Sequence, residues 1–336
     1  MTAALDILAF GNAIVDVIAQ ADDDFLLRES LAKGSMNLID EARAEHLYAA
    51  MGPATIVSGG SAANTAVGAA MFGAKTGFVG KVKADELGGV FTHDIRAAGV
   101  AFDSSPAKDG PATARSFIFV TPDGERTMNT YLGACQNLTE ADVEEAQLRR
   151  AGLVYLEGYL WDPPAAKKAF VKAAQIAHSG GARVALTLSD SFCVDRYRDE
   201  FLDLVRRGLV DLVFANESEL HALYQTADFD TALKAFSAET ARDRGFLGVC
   251  TRSAKGCVVV SHGAIEEVGA SPIERLVDTT GAGDLFAAGF LAGLARDADH
   301  RACARLGALA AAHIIQHVGA RPQTNLRDLA AQEGLI

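Results

Sequence analysis

Short apolar runs that end in polar residues recur along the chain, and segments with helical spacing lie between them. "LDILAFG" at 5–11 reads as a buried strand. "GSAANTAVGAAMFGAK" at 60–75 reads as a helix of small residues closed by Gly73, and "TGFVGKV" at 76–82 returns to strand. "VYLEGYL" (154–160), "RVALTLS" (183–189) and "DLVFANE" (211–217) are further strand-length runs. "PPAAKKAFVKAAQIAHSG" at 163–180 opens on proline and closes on glycine, as helix boundaries prefer. Strand and helix in alternation predict a mostly parallel sheet with helices on both faces. Ligands bind such sheets beyond the carboxyl ends of the strands. That directs attention to Asn12, Asp16, Glu157, Ser189, Asp190, Asn216 and Glu219.

Two segments break this rhythm. "ATARSFIFVTPDGERTMNTY" at 112–131 is two strand-like runs joined by Pro122-Asp123-Gly124, which predicts a hairpin. The region 13–40 holds the short extended pieces "AIVDVIAQ" and "GSMNLI". Together they predict a small accessory sheet outside the main one. No linker-like tract and no internal repeat divides the chain, so the reading is one domain, 1–336. The appendage comes from inserted segments at about 13–40 and 108–135.

Composition narrows the function classes. Of 336 residues, 49% are hydrophobic and 22% charged, a core-rich globular balance. The net charge of −12 argues against a nucleic-acid partner, so any phosphate must be held by a local device such as a helix N-terminus or a metal. Cys135, Cys193, Cys250, Cys257 and Cys303 are widely spaced and odd in number, which predicts buried reduced thiols in a cytoplasmic protein. The amino terminus lacks the pattern of a secretory leader, and no apolar run is long enough for a membrane span. Exposed edges of a small sheet leave monomer and homodimer both open.

Common nucleotide signatures fail. "KTGFVGKV" has Lys75 where a phosphate-binding loop needs its first glycine, and "FGNAIVD" after the first strand has only Gly11. Other stretches are more informative. In "GGSAAN", Gly59 and Gly60 permit close backbone approach, and Asn64 falls in a first helical turn. In "GNAIVD", Asn12 and Asp16 suit vicinal hydroxyls. In "NESE", Asn216 and Glu219 share a helix face and suit a water shell around Mg2+, or a plain helix cap. "TRSAKG" offers Thr251 to a phosphate and turns at Gly256, or is a plain hairpin. "DTTGAGD" at 278–284 puts the amides of Gly281, Ala282 and Gly283 at a helix start, where they form an anion site. Asp284 follows in the first turn, placed to take a proton from a hydroxyl.

Together, "GGSAANTAVGAAMFG" and "DTTGAGDLFAAGF" resemble the two signatures of the ribokinase-like (PfkB-type) carbohydrate and nucleoside kinases, and the resemblance covers nearly the whole chain. It implies a three-layer α/β/α domain with a mostly parallel central sheet and a small β-sheet lid. It also implies transfer of the γ-phosphoryl of ATP to a primary hydroxyl. Asp284 would be the general base, with Gly281, Ala282 and Gly283 as the anion hole. Asn12, Asp16, Gly59, Gly60 and Asn64 would hold the acceptor. Asn216, Thr251 and Gly256 would serve the nucleotide, and Asn216 and Glu219 would organise Mg2+ through water. Asp278 and Thr280, near the Gly319 loop, would form a K+ site.

Within the family, "FGNAIVDVIAQADDDFLLRESLAKGSMNLID", "TLSDSF" and "FANESE" resemble the adenosine kinases. That likeness places Phe192 and Leu160 around an adenine ring, with Met36 and Leu38 from the lid. Thr187 and Thr280 depart from it, since asparagine is usual at both places. The alternative acceptors are ribose, fructose or a keto-sugar acid. A third reading is a ligand-binding relative without activity. Arg115 and Arg126 of the hairpin are candidates to meet phosphate or substrate.

Overall fold

The computed structural model describes residues 5–242 and 245–336. The first strand, β1 (Leu5–Phe10), shows how the core is divided. Side chains alternate across a strand, so Ile7 and Ala9 enter one apolar cluster while Leu8 and Phe10 enter another on the opposite face. Each cluster is covered by its own layer of helices. Ser61–Met71, Ala282–Leu294 and His300–Ile314 lie on the first side. Pro164–Ser179, Ser191–Arg206 and Glu217–Tyr224 lie on the second. The result is a mixed α/β protein of the ribokinase-like fold.

Chain order continues through β2 (Ile14–Gln20), β3 (Met36–Leu38), β4 (Ala54–Gly59) and β5 (Thr76–Val79). The hairpin follows as β6 (Ala114–Val120) and β7 (Arg126–Tyr131). Then come β8 (Ala151–Glu157), β9 (Arg183–Thr187), β10 (Leu212–Asn216), β11 (Leu247–Thr251), β12 (Cys257–Ser261) and β13 (Ala264–Val268). The large sheet has the order β13-β12-β11-β10-β9-β8-β1-β5. From β11 to β5 every pairing is parallel, and β12 and β13 add an antiparallel edge. Register sets Glu157 beside Thr187, and Asn216 beside Thr251, so polar strand ends form one row at the carboxyl edge.

The second sheet has the order β3-β7-β6-β2-β4. Its hairpin turns at Gly124, whose φ of 84° suits glycine. It has its own core, in which Val17, Phe117 and Phe119 pack with Phe25, Leu26 and Leu47. Three features depart from the sequence reading. Strand β4 belongs to this sheet, and the 13–40 segment includes a short helix, Asp23–Arg28, capped by Asp22. The 76–82 run is strand only as far as Val79. All five cysteines are free and buried. No helix among the described residues is long and apolar enough to cross a membrane.

Candidate active site

Two helices touching along small residues create the centre of the site. A methyl at Gly68 would lie 2.7 Å from Leu285 Cδ1 and 2.8 Å from Ala288 Cβ, so the helices approach closely there. This brings two distant turns together. Ser61 Oγ donates to Asp284 Oδ1 at 2.6 Å, and Asn64 Nδ2 donates to Oδ2 at 3.0 Å. Thr65 Oγ1 donates to the Asp284 carbonyl at 3.2 Å. Asn64 Oδ1 is buried without a partner, leaving an acceptor free beside the carboxylate. Burial raises the Asp284 carboxyl above its ordinary range, and Ser61, Asn64 and the Arg321 charge offset part of that rise.

The helix carrying Asp284 begins at Gly281, left-handed at φ 77°, with no side-chain cap. A Cβ there would fall 2.7 Å from that of Ala320. Gly283 is different, since a Cβ there would meet nothing within 4 Å. The fold does not require glycine at 283. The Ala282 N–H turns back to Thr279 O at 3.2 Å. Of the three amides expected to face an anion, Ala282 therefore has an internal partner, whereas Gly281 and Gly283 have none among the described residues and lie at the helix start with its dipole behind them.

The acceptor-side glycines have local reasons. A Cβ at Gly59 would lie 2.4 Å from Asp16 Oδ2, and one at Gly60 (φ 94°) would lie 2.2 Å from Asn12 O. They let the Asp16 carboxylate and the Asn12 backbone close on the start of the Ser61 helix. Burial pushes Asp16 up to about 6, against the pull of Arg126 and Arg321. Asn12 differs from expectation. It is buried, and its Nδ2 donates to Glu157 Oε1 at 2.7 Å, so it orients that carboxylate instead of offering its amino group to the cleft. Glu157 also accepts from Ala62 N at 2.8 Å, capping the Ser61 helix across the chain. Burial carries Glu157 to about 7 despite these donors.

Arg126 of β7 reaches out of the small sheet to Asp278, and its Nη1 donates to Thr280 Oγ1 at 3.0 Å. Asp278 Oδ2 also accepts from Gly319 N at 2.8 Å, while Oδ1 accepts from Thr280 N and Oγ1. The residues of the expected K+ site are thus gathered, but a guanidinium already neutralises the carboxylate. A K+ ion does not fit there while Arg126 remains. Arg115 lies instead over the Phe117 and Tyr131 rings.

The residues expected on the nucleotide side have internal partners. Asn216 and Glu219 form a reciprocal capping box, with Glu219 N donating to Asn216 Oδ1 at 2.9 Å and Asn216 N donating to Glu219 Oε2 at 3.0 Å. Asn216 Nδ2 takes the other carboxylate oxygen at 2.5 Å. Glu219 is buried, and burial raises it to about 7. Thr251 Oγ1 turns toward Ala215 O at 3.5 Å. Gly256 is explained by the fold, since a Cβ would lie 2.1 Å from Val268 O. Leu160 is 1% exposed in the core and forms no cleft wall, whereas Phe192, Met36 and Leu38 are 75%, 49% and 56% exposed.

Ser61 and Arg321 are the additions that sequence reasoning did not single out. Ser61 stood inside the quoted "GGSAAN". Arg321 has no motif of its own, and its contacts lie at Ser58 and Ala63.

A parallel α/β/α sheet, a glycine-led helix start and a carboxylate held at its first turn define a phosphoryl-transfer scaffold. Residues 36–326 match the pfkB family carbohydrate kinases, and the chain belongs to that family of ATP-dependent phosphotransferases. A solved adenosine kinase from Sinorhizobium meliloti is 53% identical, with a TM-score of 0.90 over 98% of this chain and 100% of that one. A solved probable sugar kinase from Rhizobium etli CFN 42 is 52% identical, with a TM-score of 0.92 over 100% of both chains. The adenosine kinase of Saccharomyces cerevisiae is 28% identical over 95% of this chain and 96% of its own length.

Proposed function

We propose that the protein phosphorylates the primary, 5′-type hydroxyl of a nucleoside, adenosine, at the expense of ATP. The observation that carries the reaction is the Asp284 carboxylate, fixed by Ser61 and Asn64 in the first turn behind the free Gly281 and Gly283 amides. The acceptor oxygen forms a bond to the γ-phosphorus, the bond from that phosphorus to the bridging oxygen of ADP breaks, and the hydroxyl proton passes to Asp284. The two amides and the helix dipole stabilise charge on the transferring group. Asp16 and the unpaired Oδ1 of Asn64 accept from sugar hydroxyls. Kinases of this family use ATP with Mg2+.

Adenosine is favoured by the 53% identical relative and by Phe192, an aromatic ring exposed just past the carboxyl end of β9. Base–aromatic stacking contributes about 1–3 kcal/mol. Phe192→Ala should therefore raise the KM for adenosine by ~5–150-fold. ADP release should be measured with adenosine, guanosine, inosine, ribose, fructose and 2-keto-3-deoxygluconate. Turnover confined to the sugars would overturn the nucleoside assignment.

The Arg126–Asp278 pair makes a further prediction. ADP release should not change when K+ is replaced by tetramethylammonium at constant ionic strength. In Arg126→Ala the freed carboxylate should let K+ raise the melting temperature. A wild-type rate that rises severalfold with K+ would show that the ion displaces the guanidinium.

A further inference from the structure

Arg321 is a partly buried cation with no place in the scheme above. It follows the Gly319 loop, whose amide holds Asp278 and whose Ala320 abuts Gly281. Its Nε donates to Ser58 O at 3.2 Å, Nη2 to Ser58 Oγ at 3.2 Å and Nη1 to Ala63 O at 3.5 Å. Ser58 lies on β4 one residue before Gly59, which faces Asp16, and Ala63 lies one residue before Asn64. One guanidinium thus joins the small sheet, the start of the Ser61 helix and the loop behind the anion-binding turn.

We infer that Arg321 is a positioning residue that keeps Asp284 and Asp16 ionised and in register for the acceptor. Its charge interacts with three carboxylates: Asp16 from β2, Asp284 from the Ala282 helix and Asp94 from the helix Glu86–Ala97. Arg126 of β7 also faces Asp16, and Glu157 of β8 is in the field of Asp284. The Asp284 charge raises Asp16, as a like charge does, in a place where phosphate must also arrive. A partly buried cation that lowers both carboxyls relieves that repulsion. The forked guanidinium does this while hydrogen-bonding two segments at once, which a lysine ammonium does less well.

This inference rests on the reading of Asp284 as the base, so its test includes a readout independent of turnover. In protein labelled with 13C at the aspartate carboxyls, the Asp284 signal is assigned by its absence in Asp284→Asn and titrated. Arg321→Gln keeps a polar group without charge and should move the Asp284 titration, and the acid limb of kcat/KM, upward by ~1 pH unit or more. Arg321→Lys keeps the charge and should leave both in place while lowering kcat/KM through poorer placement. An unmoved titration in Arg321→Gln would overturn the inference, as would an equal upward shift in Arg321→Lys. If the glutamine variant does not fold, the same titration is read in Arg321→Met, which also lacks the charge and should show the same upward shift. Turnover surviving in Asp284→Asn would sink the general-base reading and leave the carboxyl titration to judge Arg321.

Discussion

Asp284→Asn is expected to lower kcat by ~10²–10⁴-fold, the range that a positioned base contributes. KM should change much less, because Ser61, Asn64 and the amides of Gly281 and Gly283 remain. Asparagine is nearly isosteric, so the helix pair should keep its packing. Its amide nitrogen cannot accept the hydroxyl proton, and one of its two positions must face the donor of either Ser61 or Asn64. A melting temperature within a few degrees of wild type, together with the lost turnover, would separate chemistry from misfolding. Undiminished kcat would remove Asp284 from the mechanism.

The second large effect is on stability. Glu157→Ala should cost about 3 kcal/mol or more, read from denaturant unfolding, because it strips acceptors from Asn12 N, Asn12 Nδ2 and Ala62 N inside the protein. The same residue predicts a pH dependence. A native carboxyl ionising near pH 7, against 4.5 unperturbed, still holds a proton that the unfolded chain has already lost. The stability it contributes is therefore full below about pH 4.5 and falls as pH rises through about 7. Glu219, raised from 4.5 to about 7, and Asp16, raised from 3.8 to about 6, act in the same direction. Unfolding free energy should thus decline from pH 5 to pH 8, and Glu157→Gln should flatten that decline. A slope identical in wild type and Glu157→Gln would contradict the burial argument.

Much of this architecture is legible in the residues, for identifiable reasons. Strands buried on both faces, such as β1, β8 and β10, are short continuous apolar runs, and their polar ends mark the edge where the site forms. Strand β4 is harder to see, because Ala54, Thr55 and Ile56 are exposed and show no inward alternation. The Asn216–Glu219 spacing reads equally as a metal-organising pair and a capping box, and only coordinates distinguish them. Asn12 looks like a substrate ligand until its partner Glu157, 145 residues away, is seen. Arg321 is invisible for the same reason, since its contacts are 263 and 258 residues distant. Hydrogen bonds between such remote positions leave no local pattern.

The close contact at Gly68 has a consequence for how acceptors can change. Asp284 and Asn64 sit on two helices packed in close contact, whereas β2, β3 and Phe192 belong to other parts of the molecule. New acceptor preferences can therefore be explored at the periphery without disturbing the proton-accepting pair. A protein assembled this way is modular: its reactive half is held constant by packing, and its recognition half is free to vary.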